Sequence, residues 1–401
     1  MINTANRIVL RNERFGGIYF DQLNGRTVMV DHSGFNTLLK KIGKRPLNDK
    51  EKRFIDYFFN ANTPKKVKIR PNKSIRFESA NFIVTATPIL IDLSLNNYCN
   101  LQCPYCYMSA KPIGSGEELT MKDFKLLLED MKKSRVLQIA LGGGEPTLHP
   151  HFTDFLRKLR IEGDIIPNYT TNGTNLTPEI LKASKEYCGA VAVSYSEKRE
   201  METLKAAKLL IENGIQTNVH IVLLKSRIRN LSNIIEKYAK LGIHSVVLLL
   251  FKPMGRGKNL KHEILTYKEK KPFSIEILKT LSLERKYGIR LAVDACSAFT
   301  VKDFPFLPQS IDGCTSAIYT AYIDWDLKMK PCSFMQNYYG IDLKKYSIEK
   351  AWNSDYFERF RQKLLNPRYE GCKACDFFSS CWGGCPLKPE LTYCIDKGKR
   401  L

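Results

Sequence analysis

The chain has 401 residues, with 63 Lys and Arg against 41 Asp and Glu, a formal charge of +22, and 43% hydrophobic residues. That size and balance describe a soluble globular protein of about two or three domains. No apolar run approaches the ~18 to 20 residues of a membrane span, and the opening MINTANRIVLRNERFGG lacks the apolar core of an export signal, so the expected location is the cytoplasm. There the twelve cysteines are metal ligands or reduced thiols in preference to disulfides. Lysine is scattered along the chain, so the charge alone leaves solvated faces, nucleic acid, anionic lipid and an acidic peptide open.

Residues 1–85 read as a small strand-then-helix module. The stretch RIVLRNERFGGIYFDQLNGRTVMVD gives short strands broken at Gly16-Gly17 and at Asn24-Gly25. SGFNTLLKKIGK and NDKEKRFIDYFFN carry helical periodicity, with Ser33 and Asn48 as caps. NANTPKKVKIRPNKS is a polar linker. Residues 86–295 alternate strands with helices. ILIDLSL is a strand, TMKDFKLLLEDMKK a helix capped by Thr120, and VLQIAL a strand entering GGGEP. HFTDFLRKLRI, TPEILKASKEY, REMETLKAAKLLIENG and LSNIIEKYAKLG are helices; Thr177 and Pro178 open the second of these, and Gly214 closes the third. IIPNYTTNG, AVAVSYS, QTNVHIVLL and HSVVLLLF supply the strands between them. Such alternation predicts an α/β fold, a parallel sheet curved into an open, partial (β/α)6 TIM-like barrel. IRLAVDAC reads as a further strand. Residues 296–401 break the pattern: AIYTAYIDWDLKMKPC predicts a hairpin, SIEKAWNSDYFERFRQKLL one amphipathic helix, and the remainder is dense in cysteine.

Functional residues of such barrels gather on loops after the strands. CNLQCPYCYM, directly after the first barrel strand, spaces Cys99, Cys103 and Cys106 as C-x3-C-x2-C. Three thiolates on a [4Fe-4S] cubane leave one iron free for a small ligand. Zinc would favour a second ligand pair nearby, and the sequence offers none. GGGEP (142–146) follows the second strand; its glycines let backbone approach a ligand closely, and Glu145 can take a cationic amino group.

The pairing of these two stretches resembles the radical S-adenosylmethionine (SAM) superfamily. The resemblance implies that Cys99, Cys103 and Cys106 hold a [4Fe-4S] cluster whose fourth iron chelates SAM. Reductive cleavage of SAM would give a 5′-deoxyadenosyl radical that abstracts hydrogen from a substrate. It places Tyr105 by the adenine, Gly143, Gly144 and Glu145 at the methionine amino end, Ser194 at the ribose, and Thr171 and Asn172 at the polar end of the third strand. The later cysteines resemble the SPASM extension of peptide-modifying enzymes. That implies an outer auxiliary cluster on Cys372, Cys375, Cys381 and Cys394, and an inner one on Cys314, Cys332 and Cys385, hence about three clusters. Leu327 stands where the hairpin glycine is usual. No cysteine lies between Cys314 and Cys332, so the inner cluster is expected to have an open iron, able to take a substrate thiolate, or a non-cysteine ligand, with Cys296 or an oxygen ligand as the groups that could close the site. Cys188 and Cys296 are unassigned and read as buried thiols. Cys296, ending a strand near the mouth, is the better candidate for a role, though no catalytic residue is identified.

The first module resembles the leader-recognition (RRE-like) element fused to maturases of ribosomally made peptides, in a winged-helix-like α+β arrangement. Such modules add a leader peptide as a strand at a sheet edge. A winged-helix DNA-binding domain is the rival. The expectation is therefore a radical SAM/SPASM peptide maturase that binds a precursor peptide through its leader and draws electrons from a flavodoxin or ferredoxin. Membrane and nucleic acid are not expected partners. A thioether or carbon–carbon crosslink is the leading product, ahead of epimerisation or backbone excision. A sulfatase-maturing enzyme, and a non-catalytic iron–sulfur or DNA-binding regulator, are the alternatives.

Overall fold

The computed structural model describes residues 8–22, 25–60, 84–302 and 313–392. Residues 61–74 of the expected linker, Asn24 and Cys394 lie outside the described residues. The chain divides into two compact units, Met1–Ala86 and Thr87–Leu401.

In the first unit, β1 (Ile8–Glu13), β2 (Gly16–Asp21) and β3 (Thr27–Asp31) form an antiparallel sheet in the order β1-β2-β3. The β1–β2 turn depends on Gly16, whose φ is +134° and whose missing side chain would meet the Asp31 carbonyl carbon at 2.2 Å. Helices α1 (His32–Ile42) and α2 (Asp49–Asn60) follow. Tyr19, Leu38, Ile55 and Phe58 pack the sheet against both. Ser33 is not the cap of α1: Asp31 is, its carboxylate accepting from Gly34 N at 2.7 Å. The last strand residue therefore starts the helix, and Ser33 falls inside it. Asn48 does cap α2, in a reciprocal box with Glu51 in which each side chain accepts from the other's backbone N at 2.9 Å.

The second unit holds a ten-stranded sheet ordered β10-β9-β8-β7-β6-β5-β4-β11-β12-β13. Strands β4 (Leu90–Asn96), β5 (Gln138–Gly143), β6 (Ile166–Thr171), β7 (Val191–Ser194), β8 (Thr217–Leu223), β9 (Ser245–Leu250) and β10 (Arg290–Val293) are parallel neighbours in chain order. Between them run α3 (Met121–Lys133), α4 (Phe152–Arg157), α5 (Pro178–Tyr187), α6 (Glu200–Glu212), α7 (Leu231–Ala239) and α8 (Lys270–Tyr287). Since β10 and β13 end the sheet without pairing to each other, the barrel is open. Side chains alternate as a two-residue period demands. Ile91, Leu93, Val219, Ile221, Val246 and Leu248 are buried toward the helices, each contributing about 1.5–3 kcal/mol. Asp92, Asn218 and His220 take the alternate, half-buried positions on the concave face.

Past β10 the chain returns to the other side of the sheet. β11 (Thr320–Ile323) adds in parallel to β4, and β12 (Lys328–Lys330) and β13 (Ile341–Asp342) follow antiparallel. Leu327 keeps the left-handed conformation that a hairpin glycine would supply, with φ 57°, at a cost of about 1–2 kcal/mol. The single amphipathic helix expected over 347–365 is two, α9 (Ile348–Trp352) and α10 (Asp355–Leu365). Ser347 caps α9 with its side chain, and Ser354 takes the N-cap position of α10 in extended backbone. Arg361 crosses the break, donating to Trp352 O and Ala317 O at 2.7 Å each.

Candidate active site and cluster-binding thiols

The mouth of the barrel is built around the end of β4. Asn96 clamps the glycine loop: its carbonyl and side-chain oxygens accept from Gly144 N at 3.0 and 3.1 Å, and its Nδ2 donates to Glu145 O at 3.0 Å. Any side chain on Gly144 would lie 1.8 Å from Tyr98 O. That glycine is there so that the loop can lie against the backbone leading into Cys99.

Glu145 does not offer an open carboxylate. It is buried, and its oxygens accept from Thr147 N (3.3 Å), Thr147 Oγ1 (2.7 Å), Thr171 Oγ1 (2.7 Å) and Asn172 N (2.7 Å). The residue is thus a clasp joining the glycine loop to the end of β6. In this arrangement the carboxylate is already held by Thr147, Thr171 and Asn172. Thr171 is buried with its hydroxyl committed to the same clasp, whereas Asn172 reaches outward, donating from Nδ2 to Cys99 Sγ at 3.6 Å. Glu145→Gln would set an amide donor against backbone and hydroxyl donors, at about 1–3 kcal/mol for each group left unsatisfied. A melting temperature lower by several degrees and loss of SAM cleavage are expected; wild-type values for both would show that the clasp is dispensable.

Cys99, Cys103 and Cys106 are half-buried on one loop. Burial pushes the Cys99 and Cys103 thiols up from their ordinary range, with Cys106 adding to the effect on Cys103; an iron–sulfur cluster held there would take them as thiolates. The loop is held from across the sheet by the segment after β9. Arg256 donates from Nε to Cys103 O at 2.9 Å, from Nη1 to Ala110 O at 2.7 Å, and from its backbone N to Cys106 O at 3.0 Å. Tyr105 lies where Arg227 stacks its guanidinium between two rings, 5.1 Å from Tyr105 and 5.2 Å from Tyr195. Arg227 Nε and Arg199 Nη1 are buried without a hydrogen-bond partner among the described residues. Ser194 ends β7, in register with His220 on β8.

Deeper in the lumen stand groups that the motifs did not mark. Burial, then the nearby Asp294, pushes Asp92 up to about 7, and burial followed by Cys296 pushes Asp294 up to about 6. Burial lowers His220 to about 4, so it is neutral at ordinary pH. The available signal was an acid inside each of two apolar strand runs, ILIDLSL and RLAVDAC.

The inner thiol set has a fourth member, one that the sequence reading keeps as an alternative. Cys296, just past β10, lies within hydrogen-bonding reach of the Cys314 and Cys385 thiols, and Cys332 joins the same electrostatic group. Four thiols thus converge where spacing groups three, and Cys296 is the added one. Spacing within the cysteine-rich region missed it because this thiol comes from the barrel. Among the described residues no three His, Cys, Asp or Glu groups are arranged for a single metal ion; a cubane offers each thiolate its own iron. Lys252 is buried close enough to Cys296, Cys385 and Cys332 to feel them electrostatically.

Of the outer set, Cys372, Cys375 and Cys381 are described. The chain between Cys381 and Cys385 turns through three left-handed residues, Trp382, Gly383 and Gly384, at φ 50°, 69° and 77°. Arg368 holds that turn, donating from Nη2 to the carbonyls of Trp382 (2.9 Å), Gly383 (2.7 Å) and Gly384 (2.7 Å).

Three loop thiols at the mouth of an open parallel barrel, beside a clasped glycine loop and two further thiol sets, define an iron–sulfur enzyme that works on SAM. The radical SAM superfamily model matches residues 93–236, and the SPASM iron–sulfur cluster-binding domain matches residues 314–376. The chain is a radical SAM/SPASM enzyme, using the SAM-binding [4Fe-4S] cluster together with SPASM auxiliary clusters. Fe-coproporphyrin III synthase of Methanosarcina barkeri is 22% identical over 363 residues, 81% of this chain and 89% of that protein. PqqA peptide cyclase of Bradyrhizobium diazoefficiens is 25% identical over 319 residues, 74% of this chain and 81% of that one. Among solved structures, Streptococcus suis SuiB bound to precursor peptide SuiA has a TM-score of 0.71 at 16% identity, covering 98% of both chains. The structure of anSMEcpe with bound AdoMet and Cp18Cys peptide has a TM-score of 0.59 at 17% identity, covering 74% of this chain and 88% of that one. At these identities the solved structures share the fold. No helix among the described residues is long and apolar enough to cross a membrane.

Proposed function

We propose that this enzyme modifies a ribosomally made precursor peptide, forming a thioether or carbon–carbon crosslink. The observation that carries the reading is the extent of the fold match. SuiB, bound to a precursor peptide, covers 98% of this chain, so the likeness takes in the first unit as well as the barrel and thiol sets. Within that unit β3 is an edge strand, alternating exposed and half-buried residues. Such an edge can receive an extended leader peptide by backbone pairing, and the chain's +22 charge suits acidic leader residues. Four thiols at the inner set remove the earlier reason to favour a thioether over a carbon–carbon bond.

Bound SAM and its cluster would supply the hydrogen-abstracting radical. Cys99, Cys103 and Cys106 would hold that cluster, with the Gly143–Glu145 backbone at the amino end of SAM, Ser194 at the ribose and Tyr105 at the adenine. Buried Arg199 Nη1 and Arg227 Nε, which have no hydrogen-bond partner among the described residues, would suit a carboxylate, Arg227 already having Glu197 at 3.8 Å. Asp92, pushed up to about 7 by burial and by Asp294, would take a proton from the peptide. Cys296, Cys314, Cys332 and Cys385 would carry the inner auxiliary cluster, and Cys372, Cys375, Cys381 and Cys394 the outer one. A flavodoxin or ferredoxin would supply electrons. These assignments use every cysteine but Cys188.

Deleting residues 1–85 tests the proposal. SAM cleavage without peptide is expected to persist, while affinity for the precursor and its modification are lost. Unchanged precursor affinity would remove the leader-recognition reading. Tight duplex-DNA binding that falls steeply with salt would favour the winged-helix alternative.

A further inference from the structure

We propose that Lys252 sets the reduction potential of the inner auxiliary cluster, as a fixed cation that stabilises the reduced state and so makes the cluster an electron acceptor. This rests on the assignment of Cys296, Cys314, Cys332 and Cys385 to one cluster.

Lys252 is the second residue after β9, in the same short loop that supplies Arg256 to the SAM-cluster cysteines. Its side chain is 1% exposed, closed to solvent and to a substrate group arriving by the lumen. Its Nζ lies 3.7 Å from the centroid of the Phe334 ring, and Phe334 in turn packs on Tyr107 with centroids 4.5 Å apart. Tyr107 follows Cys106 directly. Two packed rings therefore link the amine to the end of the first cysteine loop. Its neighbours are the Cys296 thiol, within hydrogen-bonding reach, and one carboxylate, Asp294, at 3.8 Å. A buried ammonium whose only carboxylate stands at 3.8 Å gains from any further negative charge close by. Cys296, Cys385 and Cys332 are close enough to act on it electrostatically, and neutral thiols would not supply that charge. Four thiolates around a four-iron cluster do, and each electron added makes the assembly more negative. In a dry interior the attraction between that added charge and a nearby cation is weakly screened, so the cation favours the reduced form. Asp294 stands on the same side with the opposite sign; its Oδ1 accepts from Cys296 N at 3.1 Å.

The test is potentiometric titration of anaerobically reconstituted full-length protein, followed by EPR, in a Cys99/Cys103/Cys106→Ala background that silences the SAM cluster. Lys252→Met is expected to move the inner-cluster midpoint to more negative potential, while the outer-cluster midpoint stays put as an internal reference. Lys252→Arg should keep the wild-type value. Asp294→Asn, which retains the acceptor for Cys296 N, should move the midpoint to more positive potential. An unchanged midpoint in Lys252→Met, at unchanged iron content, overturns the proposal. If that variant fails to load its cluster, the Asp294→Asn shift decides, and its absence overturns the proposal equally. Failure of the underlying assignment looks different: a Cys296→Ala protein would then keep its full iron and an unaltered auxiliary spectrum.

Discussion

Replacing Cys99, Cys103 and Cys106 together by alanine is expected to abolish 5′-deoxyadenosine formation and to remove about four irons from each chain, out of about twelve in the reconstituted protein. The fold should survive the change. The cysteine loop is fastened by the three Arg256 donors and by Gly144 lying against Tyr98, contacts that use backbone and not sulfur. The loss would then be chemical, with the melting temperature of the apo-protein close to wild type. Anaerobic assay of SAM cleavage with iron counting checks it. If the triple variant still made 5′-deoxyadenosine, the SAM site would have to lie elsewhere.

Cys296→Ala is expected to have the next largest effect. A four-thiolate set reduced to three exposes an iron, and such a cluster is lost or altered on reconstitution, so iron content should fall by up to about four per chain. The auxiliary EPR signal should change while SAM cleavage without peptide continues. Cys188→Ala is the control: that thiol is pushed far up by burial, sits beside Ser184 and Arg160 and takes no part in any thiol set, and its removal should leave the spectrum intact. A Cys296→Ala protein spectroscopically identical to wild type would restore the open-iron reading of the inner site.

What the sequence made legible, and what it hid, follows from the range of the forces involved. The alternation of strands and helices, the Thr120 and Thr177 caps and the hairpin before Cys332 are local patterns, and each appears where the periodicity places it. The motif at Gly142–Pro146 announced a ligand loop, but the fate of the Glu145 carboxylate depended on Thr171 and Asn172, a strand away. Cys296 precedes Cys314 across a segment with no cysteine, so no spacing rule tied them; packing of the turn after β10 did. Arg256 and Arg368 were single basic residues in a lysine-rich chain, and nothing in their local sequence says that they hold the loops that carry the cysteines. The break between α9 and α10 was readable in Asn353-Ser354-Asp355, a helix-start signal set inside a longer apolar repeat.

The grip of Arg256 has a consequence for how the enzyme weathers oxygen. Its bonds run to carbonyls of the cysteine loop and owe nothing to iron, and each charge-assisted bond contributes about 1.5–3 kcal/mol. An oxidised, emptied site should therefore keep its shape as a mould into which a new cluster can be cast. Repair then needs only iron, sulfide and reductant, with no refolding of the mouth. Repeated cycles of damage and rebuilding should return the wild-type enzyme to full SAM cleavage, and Arg256→Ala, whose loop must be shaped by the cluster itself, should recover less with each cycle.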